Sequence, residues 1–247
     1  GLPSHVGLVV LFDTEIGVPL AVLDAAELTA IRTAAASAVA TRALARQEAS
    51  HLAILGTGDQ AVTHLAAISK VRRLQTVHVW GRSSDKAERL AEEQGSKLSL
   101  RIEVSKTAEE AVRGADIVCT VTASHEPVLS GAWLQPGAHV NLVGSSRLTS
   151  READDEVVSR SRFFVDSRTS ARAEAGELKH AMDGGKVSDR HILGEIGEVL
   201  GGGVVGRTSD SDITVYKSLG VAVQDLAAAH VVYDRAVRDA IGTRVPF

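Results

Sequence analysis

The sequence predicts an α/β fold: a doubly wound parallel sheet of the Rossmann kind, with a second, smaller α+β lobe built from both chain ends. Three observations predict it. Residues 51–61, HLAILGTGDQA, read as a buried strand, a tight glycine turn and the start of a helix. From His51 onward, short β-rich runs alternate with helical stretches, a rhythm that implies parallel strands joined by right-handed crossovers. The two chain ends lack that rhythm, and each carries a long helix. Residues 48–212 are therefore expected to form the Rossmann domain. Residues 1–47 and 213–247 are expected to form the second lobe, incomplete at its N-terminus.

Taken in order, VGLVVLF at 6–12 and VPLAVL at 18–23 flank the turn signal Asp13 to Gly17 and read as a hairpin. Asp24 to Ala45 has few breakers and many alanines, so it reads as one long helix carrying Arg32 in its first half. Strands are expected at 52–55, 76–80, 100–104, 116–121, 139–143 and 162–166. Helices are expected at 59–71, 85–94, 107–113, 152–160, 170–182 and 189–200. Gly201 to Gly203 and the polar run Thr208 to Asp212 read as a linker. After it, 217–240 reads as a last helix, apolar at 219, 223, 226, 227, 231 and 237, whose sticky face returns to pack beside the first helix.

Composition narrows the function. At 247 residues the chain can bury one large or two modest cores. Aromatics make up only 3%, so the core must come from Ala, Val, Leu and Ile. A net charge of −4, with no basic run interleaved with aromatics, gives no footprint for a nucleic acid partner. The lone Cys119 lies in the apolar run DIVCTVT and reads as a buried, inert thiol. His5, His64, His125, His139 and His230 are scattered without metal-ligand spacing, so no metal is expected. With no G-x-S-x-G turn and no evident base for the cysteine, nucleophilic hydrolysis is not expected either. No stretch has the length of an apolar membrane span and no leader opens the chain, so a cytoplasmic protein with no membrane partner is expected.

The turn GTGDQA carries the chemistry. Gly56 makes the tight turn, Gly58 lets the backbone approach a pyrophosphate, and Ala61 lets helix and strand pack closely, as in the dinucleotide fingerprint. The phosphate would sit on the unpaired N–H groups and positive dipole end of the following helix. In NAD-binding sheets an Asp or Glu about 20 residues further on takes the ribose hydroxyl. Here that place reads Val79-Trp80-Gly81-Arg82-Ser83-Ser84, with a guanidinium instead of a carboxylate. Arg82, the Ser83 hydroxyl and Lys86 one helical turn on suit a 2′-phosphate, which favours NADP(H), with NAD(H) possible. The plainer alternative is that Ser83 or Ser84 only caps the next helix while Arg82 is solvated.

Several strings then become recognisable together. They are PSH at 3–5, RTAAASAVAT at 32–41, GTGDQA at 56–61, WGRSSDKAE at 80–88 and GADIVCTVTASHEPVL at 114–129. PGAHVNLVGSSR at 136–147, FVDS at 164–167, GEIGEV at 194–199 and YKSLGVAVQDLAAA at 216–229 follow in order. With these strings the chain resembles the ornithine cyclodeaminase/mu-crystallin family over essentially its whole length. The resemblance implies a nicotinamide-binding domain, a second domain formed from both chain ends, and a homodimer joined through that second domain. It also implies that Ser4, His5 and Arg32 reach cofactor or substrate from the second lobe, and that Gly56, Thr57, Gly58, Asp59 and Gln60 hold the pyrophosphate. Gly81, Arg82 and Ser83 would take the adenosine phosphate, and Thr122, Ser124, Val143 and Ser218 the nicotinamide side. Glu174 matches a ligand-facing glutamate of the family.

The chain departs from the family in three ways. Relatives extend upstream of the stretch matching Gly1 to His5 and carry there a basic pair that clamps the substrate carboxylate. Asp59 stands where an apolar residue is common, and a carboxylate there suits the helix dipole but repels a pyrophosphate. Ser146 stands where the cyclodeaminases carry a proton-handling aspartate, and a hydroxyl cannot hold that charge. The leading expectation is thus an NADPH-dependent reductase of cyclic imine (ketimine) carboxylates, or a related amino-acid dehydrogenase, with a small imino or amino acid as its partner. Arg32 would grip the substrate carboxylate or, as an equal alternative, the cofactor phosphates. Lys217 and Asp225, eight residues apart at the start of the last helix, are candidate catalytic groups, and Ser146 and Glu174 are candidate substrate contacts. Two alternatives stand beside this: an ammonia-releasing ornithine cyclodeaminase using NAD, and a non-catalytic, crystallin-like binder of NADPH or a small ligand.

Overall fold

The computed structural model describes residues 6–245. The chain opens on the antiparallel hairpin of β1 (Leu8–Phe12) and β2 (Pro19–Asp24). Helix α1 (Ala25–Leu44) follows without a break, because the Asp24 carboxylate accepts from the Ala26 and Glu27 backbone N–H groups at 2.7 and 3.1 Å. Strands and helices then alternate: β3 (His51–Leu55), α2 (Asp59–Ile68), β4 (Thr76–Trp80), α3 (Ser84–Leu98), β5 (Ile102–Val104) and α4 (Ala108–Val112). The second half runs β6 (Ile117–Thr120), β7 (His139–Leu142), α5 (Asp155–Ser159), β8 (Ser161–Val165), α6 (Arg168–Glu174) and α7 (Gly176–Asp183). It ends with β9 (Ile192–Glu195), α8 (Ile196–Leu200), β10 (Ile213–Lys217) and α9 (Ala222–Arg238).

Strands β3 to β10 form one sheet in the order β5-β4-β3-β6-β7-β10-β8-β9, every pair parallel. Side chains of β3 alternate between its faces. Leu52 and Ile54 join Leu65 and Ile68 of α2 and Leu90 of α3, while Ala53 and Leu55 join the cluster of Val118, Val140, Phe163 and Val215. Both faces are covered, which is why the strands read as continuous apolar runs. Strand order reverses between β3 and β6, and a crevice outside the carboxyl ends of the strands is where such sheets bind ligands.

Several expectations are corrected. The stretch 189–200 is not one helix but a short 3-10 turn, edge strand β9 and helix α8. Ile192 is buried against the sheet, and a Cβ on Gly194 would meet Val204 at 2.9 Å, closeness that suits a strand edge. The expected linker is followed by β10, not by a helix starting at 217; ITVYK is β-branched and fully buried, so it slots between β7 and β8. The helix expected over 170–182 breaks at Ala175 into α6 and α7. The chain divides into a unit of residues up to Thr33 together with Gly220 onward, and a unit of Ala34–Leu219. The boundaries expected at 47/48 and 212/213 thus shift, because β10 and the second half of α1 pack with the sheet. In the smaller unit, Leu11, Leu28 and Ala229 share one cluster with Ala228 and Tyr233 of α9. The stripe of Val223, Leu226, Ala227, Val231 and Val237, expected to be the packed face, is exposed.

Candidate dinucleotide site

The site is set by what backbone geometry allows after β3. Gly56 has φ +132°, and a Cβ there would stand 2.7 Å from the Val121 carbonyl oxygen, so only glycine lets the chain turn against the end of β6. Its N–H donates to the Trp80 carbonyl at 2.8 Å, tying the turn to the end of β4. Gly58 caps α2 in an extended conformation, and no atom of the described residues beyond its chain neighbours lies within 4 Å of where its Cβ would be. The described residues therefore leave the Gly58 side of the α2 N-terminus uncrowded. Asp59 is exposed as the first residue of α2, and Thr57 lies beside Gly81, whose Cβ would meet Thr57 Cγ2 at 2.6 Å. The structure thus brings Gly56 to Gln60 and Gly81 together.

At the end of β4, Arg82 is exposed and makes no ion pair among the described residues. Ser83 occupies the N-cap of α3, but its side chain makes no capping hydrogen bond. Of the plainer expectation, Ser83 does stand at the N-cap and Arg82 is exposed, but no capping hydrogen bond to the Ser83 hydroxyl is made among the described residues. Lys86 is exposed in the first turn of α3.

The remaining candidates sit at the carboxyl ends of β6, β7 and β10. Thr122 and Ser124 follow β6, and the Ser124 N–H donates to Thr122 Oγ1 at 3.1 Å. The Val143 N–H after β7 donates to the Thr120 carbonyl at 3.0 Å, and the Ser218 N–H after β10 donates to the Leu142 carbonyl at 2.9 Å. Ser218 Oγ and Gln60 Oε1 are buried with no partner among the described residues. Buried polar atoms are normally satisfied, and Gln60 belongs to the glycine turn, so its unpartnered oxygen fits a ligand's hydrogen bond. Ser146 is exposed on the loop after β7, and Glu174 is exposed at the end of α6. Ser4 and His5 lie outside the described residues.

Two candidates sit differently from what spacing suggested. Lys217 is not on a helix; it ends β10 with no exposed surface, its Nζ 2.9 Å from Glu177 Oε2 and donating to the Ser145 carbonyl at 2.6 Å. It is thereby placed as a buried counter-ion rather than a group presented to substrate. Arg32 and Asp225 do meet: Arg32 Nε donates to Asp225 Oδ1 at 2.9 Å and NH1 to Gln224 Oε1 at 3.3 Å. Cys119 is buried, and burial pushes its thiol up to about 12, so it is inert as expected. Sequence reasoning missed Glu152, fully buried at the carboxyl ends of β6 and β7; nothing in its polar string TSREADDE distinguishes it from a solvated helix start.

A glycine turn of this build at the switch point of a parallel sheet defines a dinucleotide-binding α/β protein. Comparison with known sequences narrows the class. The ornithine cyclodeaminase/mu-crystallin family model matches residues 1–240, and the chain belongs to that family. It is 41% identical over 233 residues to the ketimine reductase mu-crystallin of Mus musculus, spanning 94% of this chain and 70% of that protein. It is 38% identical over 242 residues to a Delta(1)-pyrroline-2-carboxylate reductase of Bacillus cereus, spanning 98% and 74%. The solved Delta(1)-pyrroline-2-carboxylate reductase of Thermococcus litoralis, in complex with NADH and L-proline, superposes with a TM-score of 0.96 at 36% identity. That match covers 99% of this chain and 76% of the other.

Proposed function

We propose that the chain is an NADPH-dependent reductase of a cyclic imine carboxylate. The observation that carries this reading is the glycine turn open at Gly58, beside a β4 end that offers a guanidinium and an uncommitted hydroxyl instead of a carboxylate. The first N–H groups of α2 bind the pyrophosphate, with Thr57, Asp59 and Gln60 around it. Arg82, Ser83 and Lys86 take a 2′-phosphate, the feature that favours NADP(H) over NAD(H). Thr122, Ser124, Val143 and Ser218 hold the nicotinamide side. When bound, the reduced cofactor supplies hydride for the carbon of a C=N bond.

Arg32, its Nε held by Asp225, grips the substrate carboxylate, and Ser146 and Glu174 border the substrate. In this reading Asp225 acts through Arg32, since its carboxylate is committed to that pair. Ser146 brings no acid to manage a departing amine, which sets the reductase above the lyase. The family relatives named for ketimine and pyrroline-2-carboxylate reduction support the same substrate class. The unit of the chain ends exposes Leu8, Val10, Phe12, Val22, Leu226 and Val237, an apolar surface suited to a second copy of the chain, so we assign a homodimer. The experiment supplies NADPH with pyrroline- or piperideine-2-carboxylate and follows loss of reduced-cofactor absorbance, then supplies ornithine with NAD and measures ammonia. Ammonia without net cofactor change would make the chain a lyase, and binding without turnover would make it a carrier.

A further inference from the structure

Three charged side chains closed to solvent meet in one cluster of the larger unit: Glu152, Glu177 and Lys217, at 0%, 1% and 0% exposure. Glu152 lies in the segment between β7 and α5. Its Oε1 accepts from the Thr122 N–H at 2.6 Å and Thr122 Oγ1 at 2.7 Å. Its Oε2 accepts from the Gly144 N–H at 2.6 Å and Thr120 Oγ1 at 2.8 Å. A Cβ on Gly144 would stand 2.0 Å from the Thr122 carbonyl oxygen and 2.5 Å from Glu152 Oε1, so the turns after β6 and β7 are pressed together around this carboxylate. Behind it, Glu177 of α7 accepts from the Glu152 N–H at 3.0 Å and faces Lys217, which donates to the Ser145 carbonyl. One buried cluster therefore ties the ends of β6, β7 and β10.

We propose that Glu152 is a positioning residue: it locks the turns after β6 and β7 so that Thr122, Ser124 and Val143 present one fixed surface to the nicotinamide half of the cofactor, with Lys217 as its counter-charge and Glu177 holding its backbone N–H. This rests on the cofactor reading above. A carboxylate is costly to bury, and a segment that needed only filling would take an apolar side chain. Burial pushes the Glu152 carboxyl up, while the Thr122 hydroxyl, the Lys217 charge and the Thr120 hydroxyl pull it back. What the carboxylate contributes is four directed acceptor positions, all filled, two of them by backbone N–H groups on different turns. None of its hydrogen bonds reaches residues 56–60, so the grip on the pyrophosphate stands apart from it.

That separation gives the test. In Glu152→Gln, one amide nitrogen must face either the Gly144 or the Thr122 N–H, whichever way the side chain lies. Calorimetry would compare NADPH with 2′-phospho-ADP-ribose, which lacks the nicotinamide, and in parallel NADH with ADP-ribose. The variant should weaken the whole dinucleotide about tenfold, the scale of one or two mispaired hydrogen bonds, and the fragment by less than about twofold. Thr120→Val removes one donor and keeps the shape; it should move the same ratio in the same direction, and it decides the matter if Glu152→Gln does not fold. Equal losses for whole and fragment, or none for either, overturn the inference. A wild-type chain that binds neither ligand overturns the cofactor reading and the inference with it.

Discussion

The Lys217 ammonium stands 2.9 Å from the Glu177 carboxylate with both side chains closed to solvent. Removing one member of a buried ion pair strands the other charge, at a cost of about 3–5 kcal/mol. Lys217→Met should therefore lower the unfolding free energy by about that much. Lys217→Met combined with Glu177→Gln should recover part of the loss, and not all of it, because the Glu152 carboxylate also feels the lysine charge. Urea unfolding of the three proteins reads this directly. A single variant as stable as the wild type would mean that water reaches the pair.

Gly56 and Gly58 sit two residues apart and should fail in different ways. Gly56→Ala puts a Cβ at φ +132° and against the Val121 carbonyl, so it should cost about 1–3 kcal/mol of stability as well as cofactor binding. Gly58→Ala meets no atom among the described residues and has ordinary backbone angles, so its melting temperature should hold. Its added methyl enters the space assigned to the pyrophosphate, and dinucleotide affinity should fall about tenfold or more. Thermal melts with calorimetry separate the two. An unaltered Kd for Gly58→Ala would move the phosphate away from this turn.

In the proposed reading, Arg82 is the group on which cofactor choice turns. A charge-assisted hydrogen bond to phosphate is worth about 1.5–3 kcal/mol, so Arg82→Ala should weaken NADPH by roughly 10- to 100-fold. NADH, with no 2′-phosphate, should change little. Fluorescence titration of both cofactors gives the ratio. Wild-type affinities that are equal, or a ratio that Arg82→Ala leaves alone, would refute the preference.

These residues also show which parts of the molecule can be read from the chain. The glycine turn at Gly56 and Gly58 and the place of Arg82 just past β4 were legible because a tight turn after a buried strand dictates residue type through backbone geometry, and the crossover that follows fixes the offset to the next strand end. Strand β3 was legible because an apolar run bounded by glycine has few other uses. Strand β10 was not: ITVYK is too short for periodicity to separate strand from helix, and it stands directly before a genuinely helical stretch. The α9 stripe was visible as a stripe, but burial went to the side with Ala228, Ala229 and Tyr233, which the hairpin selects. Glu152 and Glu177 were invisible, since their meaning lies mostly in partners far away in the chain: Thr120 is 32 residues from Glu152, and Glu152 is 25 residues from Glu177.

Acid should destabilise the fold through two histidines in the larger unit. The His64 ring of α2 lies between the Gln60 carbonyl, 2.7 Å from Nδ1, and Ser37 Oγ, 2.9 Å from Nε2. His139 of β7 contacts Thr214 Oγ1 at 3.0 Å and Asn141 Oδ1 at 3.3 Å. Burial pushes His64 down to about 4; burial and the nearby Arg207 charge push His139 down to about 3. Both are neutral in the fold, whereas in the unfolded chain they titrate near 6.5. As pH falls below that value the unfolded chain takes up protons that the native one refuses, so stability is full above 6.5 and is lost progressively down to about 3–4. Linkage sets the eventual loss on the order of 3–5 kcal/mol per ring. His64→Gln, which keeps a polar contact for Ser37, should flatten the pH profile by its share. Urea unfolding at about pH 7 and about pH 5 is the measurement, and a free energy that does not fall between them would mean that neither imidazole is held neutral by the fold.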